Sequence, residues 1–176
     1  SVRLISLAKG KSGISYELLQ RFELLLNNKI YPLIPSQGSV GASGDLTPLS
    51  YIAAVIAGER EVIYKGEILD TKDVYKELGI KPYTFKPKEA LAIMNGTAAM
   101  SAIAIESIAK FEILLDSAES FVASVFELLL CDTTPLEPFV HESKPFDGQQ
   151  NAAANILQKC QDSKLTHEAF SRYENF

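Results

Sequence analysis

The chain has 176 residues, 47% hydrophobic and 22% charged, the proportions of an ordinary folded domain with material for a sizeable core. Its formal net charge is -5 and its 17 lysines and arginines are scattered, which excludes the basic footprint that a nucleic-acid partner requires. The longest apolar stretch, residues 97–115, carries Glu106, Lys110 and Glu112, and no signal-peptide pattern opens the chain, so no membrane span and a cytoplasmic location are expected.

From 15 to 28 the apolar residues Leu18, Leu19, Phe22, Leu25 and Leu26 recur at helical spacing, which predicts an amphipathic helix with Ser15 as N-cap. Residues 31–44 hold two prolines, three glycines and three serines, a composition that breaks regular structure and predicts an ordered loop. Thr47-Pro48 reads as an N-cap followed by proline at the first helical position, and the apolar run 49–57 ends at Gly58. Residues 62–64 and 67–69 flank Lys65-Gly66, which predicts a two-residue hairpin and no larger sheet.

Asp70 or Thr71 caps a predicted short helix to Leu78 that Gly79 stops, and Pro87 opens another to Met94, interrupted by Asn95-Gly96. Two long helices follow at about 97–115 and 118–131, separated by the polar pair Asp116-Ser117. Pro135, Pro138 and Pro145 predict an extended connection over 132–148, and the alanine-rich 151–159 predicts a further helix. Together these elements describe a mainly α, bundle-like single domain with one small β-hairpin near 62–69. Cys131 and Cys160 stand far apart, without C-x-x-C or histidines at ligand spacing, so two reduced thiols are expected rather than a disulfide or a metal site.

The loop 37–46, Gln-Gly-Ser-Val-Gly-Ala-Ser-Gly-Asp-Leu, places three glycines just before a helix start. Glycines there serve either a tight turn with positive φ angles or an anion site built from backbone N–H groups and the helix dipole. A P-loop is excluded because G-x-x-x-x-G-K-[ST] is absent, and Lys9-Gly10-Lys11-Ser12 lacks the upstream glycine.

The thirteen residues Gly38-Ser39-Val40-Gly41-Ala42-Ser43-Gly44-Asp45-Leu46-Thr47-Pro48-Leu49-Ser50 resemble the signature of the histidine and phenylalanine ammonia-lyases. Lys88-Glu89-Ala90-Leu91-Ala92 with Asn95-Gly96-Thr97 is similar to that family's second motif, and Lys9-Gly10-Lys11-Ser12-Gly13 to its lead-in. The resemblance implies non-oxidative removal of ammonia from a small aromatic amino acid. It also implies a methylidene-imidazolone prosthetic group, formed when Gly44 N attacks Ala42 C and water is lost, with Ser43 supplying the exocyclic methylene. Position 44 needs a residue that does not crowd that attack, and a covalent electrophile supplies chemistry that ordinary side chains lack.

By the same resemblance Asn95 is an amide that hydrogen-bonds near the electrophile and the substrate's amino-acid moiety, a role compatible with a helix C-cap before Gly96. Asp45 is assigned either to supporting ring formation or to capping the next helix. That helix would point its positive end at the ring. His141 and His167 lie in no matching motif and are read as surface or capping residues, since the family's base is a tyrosine from a segment N-terminal to this chain. The 38–45 stretch is closest to the histidine branch, whereas Tyr51 is more like the phenylalanine branch, and phenylalanine or tyrosine lyases and aminomutases stay open as alternatives.

Phe146-Asp147-Gly148-Gln149 departs from the family's usual His-Pro-Gly-Gln, although Ala152-Ala153-Ala154 follows as in the family. The resemblance also implies that 1–176 is the central part of a longer, homotetrameric lyase whose carboxylate-gripping arginine lies beyond Phe176. On that expectation the chain alone is inactive and its tripeptide uncyclised. An alternative of another class is a catalytically dead helical interaction module.

Overall fold

Most of the elements begin and end where the sequence supplies the chemistry for it. In the computed structural model, which describes residues 1–166, helix α1 spans Val2–Ala8 and α2 spans Tyr16–Asn27. Ser15 caps α2 by accepting a hydrogen bond from Leu18 N at 3.3 Å, and the stripe Leu18, Phe22 and Leu25 turns inward. Strand β1, Tyr31–Pro32, leads into the glycine-rich loop, and α3 follows at Leu46–Ile56.

The hairpin is formed by β2 (Glu61–Tyr64) and β3 (Glu67–Asp70), with Lys65 at φ 52° and Gly66 at φ 87° in the turn, the pairing that matches strand twist. It is not an isolated ribbon. Tyr31 pairs with Ile63 and Pro32 with Val62, which makes an antiparallel sheet of order β1-β2-β3. Two residues are too short a strand to show alternation, and the proline sits at a sheet edge where a missing N–H costs little.

Helix α4, Thr71–Leu78, starts with the Asp70 carboxylate accepting from Lys72 N at 2.8 Å and stops at Gly79 in the left-handed conformation. Helix α5 covers only Glu89–Met94, because Lys88 adopts φ 74° and leaves Pro87 outside the helix. Leu18, Phe22, Ile56, Val62, Tyr75 and Ile93 belong to one core cluster, so α2 to α5 and the sheet share a single apolar centre.

Helix α6 is one element of 31 residues, Ala98–Leu128, where two helices with a break at Asp116-Ser117 are expected. The break does not occur because Ser117 Oγ donates to Ile113 O at 2.8 Å and Ser120 Oγ to Asp116 O at 2.8 Å. Hydroxyls satisfied within the helix leave its ladder intact, and neither glycine nor proline interrupts it.

The connection after α6 is not extended. A 3₁₀ turn at Thr134–Leu136 and the short α7, Pro138–His141, place their prolines in first turns, where a helix needs no N–H. Helix α8, Asp147–Cys160, begins earlier than the alanine-rich stretch suggests.

Length and composition predict one domain, yet the chain divides into two compact units, Ser1–Glu106 and Ser107–Phe176. Every residue from 102 to 118 of α6 is exposed. In the second unit the buried Glu119 carboxylate accepts from Asn155 Nδ2 at 3.1 Å, and Lys159 pairs with Asp116 at 2.7 Å. His167 lies outside the described residues.

Candidate active site

The glycine-rich loop turns back on itself just before α3. Gly41 has φ 69° and Gly44 φ 86°, both left-handed, and Ala42 and Gly44 meet in an isolated bridge. Ala42 and Ser43 are exposed and Gly44 is half-buried. Gly44 must also be glycine for space, since a Cβ there would stand 2.7 Å from the Gly96 carbonyl oxygen.

The second predicted motif supplies that neighbour. Helix α5 ends at Asn95, whose backbone N–H returns to Leu91 O at 2.8 Å, and the chain then passes through Gly96 into α6. The Asn95 amide nitrogen donates to the Ser43 carbonyl oxygen at 3.0 Å, and Asp45 N donates to Gly96 O at 2.7 Å. Thus Asn95-Gly96 is joined to the tripeptide by one side-chain hydrogen bond and to Asp45, the residue after it, by one backbone hydrogen bond.

Asp45 occupies the N-cap position of α3 but does not cap it with its side chain. Its carboxylate, only 3% exposed, accepts from Met100 N at 2.8 Å in the first turn of α6, and from Ser39 Oγ at 3.3 Å. The same residue therefore starts one helix and caps another. Thr47 is not the N-cap, because α3 already begins at Leu46; Pro48 then falls in the first turn, where its absent N–H has no partner to lose. The start of α3 directly follows the tripeptide and carries no side-chain cap, whereas the first turn of α6 is capped by the Asp45 carboxylate.

Two supporting groups are not singled out by the sequence pattern. Arg3, in the first turn of α1, donates from Nε to Ile93 O at 2.9 Å and from Nη2 to both Ala92 O and Asn95 O, the last at 2.9 Å. A lone arginine at the start of a helix carries no signal that it will meet carbonyls about ninety residues later.

Glu89 lies inside the second motif and is 2% exposed. Its carboxylate accepts from Ser15 Oγ at 2.7 Å, Lys86 N at 2.8 Å, Tyr83 Oη at 2.9 Å and Ser15 N at 3.0 Å. Burial alone would raise its pKa, but those four donors outweigh it and hold the group down to about 2.

His141 belongs to the second unit, whereas the tripeptide belongs to the first. Its Nε2 meets Pro135 O at 2.9 Å and its Nδ1 meets Gln149 Nε2 at 3.0 Å, so one ring nitrogen ties α7 to the preceding 3₁₀ turn and the other ties it to α8. Tyr51 carries the Arg60 guanidinium over its ring at 4.2 Å and lines a cleft of 820 Å³ with Gly41, Asp45 and Met100. That lining skips from Gly41 to Asp45, so the tripeptide itself does not line the cleft.

The sequence pattern of the aromatic amino acid lyases matches residues 1–174. The chain belongs to that family. Among its relatives, a histidine ammonia-lyase from Shouchella clausii is 42% identical over 165 residues, covering 94% of this chain and 33% of its own length. Another from Aliivibrio fischeri is 37% identical, covering 99% of this chain and 35% of its own.

Among solved structures, Pantoea agglomerans phenylalanine aminomutase superposes with a TM-score of 0.87 at 33% identity, covering 99% of this chain and 34% of that one. Histidine ammonia-lyase from Trypanosoma cruzi gives a TM-score of 0.79 at 34% identity, over 89% of this chain and 31% of that one. The chain thus spans about a third of the length of the lyases and aminomutases it matches. No helix among its described residues is long and apolar enough to cross a membrane.

Proposed function

We propose that this chain carries the electrophile-forming portion of an ammonia-lyase, a carbon–nitrogen lyase that deaminates a small aromatic L-amino acid. The observation that carries the reading is the hydrogen bond from Asn95 Nδ2 to Ser43 O at 3.0 Å, which joins the family's two motifs at the tripeptide itself. Family membership and the similarity to histidine ammonia-lyases support the same reading.

Ala42, Ser43 and Gly44 fit a methylidene-imidazolone. Gly44 is open on the Cβ side only as far as Gly96 O, and its own N–H is held by nothing tighter than a 3.4 Å bond to Gly41 O, which suits a nitrogen that must attack Ala42 C. Such a group supplies an electrophile for the substrate, chemistry absent from ordinary side chains. Asn95 then donates to the oxygen that becomes the ring carbonyl and draws electron density from it. Asp45 holds Gly96 and the start of α6 against the loop, and the N-terminus of α3, which has no side-chain cap, favours negative charge developing beside it.

Histidine is the favoured substrate, supported by the histidine ammonia-lyases among the relatives. An assay of the whole protein that follows urocanate against cinnamate and coumarate tests it: urocanate alone is expected. The likeness to phenylalanine aminomutase supports a second reading, in which the amino group is returned at the β-carbon, and a β-amino acid product would favour that reading.

The 176 residues by themselves bring no described group that could serve as base or carboxylate clamp beside the tripeptide, so we propose that the isolated chain is inactive and uncyclised. Assembly as a homotetramer is supported by the exposed apolar residues Ile105, Ile108, Phe111, Ile113 and Leu114 on α6. A cytoplasmic location completes the proposal.

A further inference from the structure

We infer that Arg3 is a positioning residue for the electrophile site, setting the Asn95-Gly96 turn that touches Ala42-Ser43-Gly44; the inference rests on the functional reading above. A six-residue helix such as α5 leaves almost all its C-terminal carbonyls without intrahelical partners. The Arg3 guanidinium takes three acceptors at that end, Ala92 O, Ile93 O and Asn95 O. It therefore holds the backbone of the very residue whose side chain donates to Ser43 O.

Gly96 shows the same dependence from the other side. It is absent from the positive-φ residues, so conformation does not require glycine there. A Cβ at Gly96 would collide with Arg3 Nη1 and stand 2.7 Å from Cζ, so a side chain there would push the guanidinium out of its place. The guanidinium thus lies flat against Gly96, and Gly96 O in turn receives Asp45 N and abuts Gly44. Two contacts to the tripeptide pass through residues that Arg3 fixes.

The requirement is for a planar fork with several donors. Lysine, with a single ammonium on a flexible stem, cannot reach three carbonyls in one plane or lie flat on a glycine. Burial lowers the guanidinium's pKa without discharging it, so it also remains a cation at the negative end of α5.

The test is made in the whole protein that carries this chain, with Arg3→Ala, Arg3→Lys, and Gly96→Ala placed in both the wild-type and the Arg3→Ala backgrounds. Intact mass reads the fraction of tripeptide that has lost two waters, and steady-state kinetics separate kcat from KM. Arg3→Ala is expected to reduce the dehydrated fraction and to lower kcat on the order of a hundredfold with KM within a factor of about two, as for a displaced catalytic geometry. Arg3→Lys should not restore either. Millimolar guanidinium should recover part of the kcat of Arg3→Ala, whereas ammonium at equal ionic strength should not. Gly96→Ala should be damaging when Arg3 is present and nearly neutral in the Arg3→Ala background.

A dehydrated Arg3→Ala protein with kcat near wild type overturns the inference. So does a loss of activity that guanidinium leaves unmoved while Gly96→Ala adds its full effect, since both point to a general loss of stability. A wild-type protein that keeps both waters overturns the reading of the tripeptide instead, and is told apart because Arg3 need not be changed to see it.

Discussion

Asn95 and Ser43, 52 positions apart, are joined by a hydrogen bond of 3.0 Å from the asparagine amide to the serine carbonyl. That oxygen belongs to the tripeptide from which the proposed electrophile would form, so on that proposal the donor would act on the ring itself. Removing one donor from such a centre costs on the order of a hundredfold in kcat. Asn95→Ala in the whole protein should show that loss, and Asn95→Asp, which places a carboxylate against a carbonyl, should be at least as damaging. An Asn95→Asp enzyme more active than Asn95→Ala would argue that the amide does not donate there.

Gly41 and Gly44 separate conformation from space. Both adopt positive φ, but a Cβ at Gly41 meets nothing within 4 Å whereas one at Gly44 meets the Gly96 backbone. Gly41→Ala should therefore cost only the left-handed strain of about 1–2 kcal/mol. Gly44→Ala should cost more in thermal denaturation and should leave both waters in the tripeptide by intact mass. Equal shifts in melting temperature for the two would remove the argument from Gly96.

Asp45 tests the cap on α6. Asp45→Ala strands Met100 N and Ser39 Oγ, which should lower stability by about 2 kcal/mol in urea titration. Asp45→Asn keeps one carbonyl acceptor for Met100 N and should recover about half of that. Full loss in both variants would assign the effect to charge rather than to the cap.

Glu89 predicts an acid dependence. Its folded pKa, about 2, lies below the ordinary carboxylate value of 4.5, so the ionised group stabilises the fold above the ordinary value. That contribution is lost as pH falls from about 4.5 towards 2. Glu89→Gln should be destabilised by about 3 kcal/mol at neutral pH, because its amide faces donors, and the gap to wild type should close on acidification. A gap that stays constant between neutral pH and pH 3 would sink the prediction.

Short-range chemistry is legible in the order of residues alone. Ser15 ahead of an apolar stripe, Lys65-Gly66 between two β-rich runs and Gly79 after α4 each carry their own instruction, and each element forms there. Asn95-Gly96 is likewise visible as an interruption between helices. The continuity of α6 is not, because a serine hydroxyl bonding back four residues looks, in one dimension, like a polar break.

The sequence by itself determined the tripeptide proposed to react, its glycine-rich setting and the family, because those depend on residue types in a fixed local order. Tertiary structure decided what surrounds the tripeptide. Asp45 could have capped its own helix or another, and only the approach of α6 gave its carboxylate to Met100 N. Arg3 carried no local signal at all, since its partners are backbone carbonyls that every residue possesses and that only folding brings within reach.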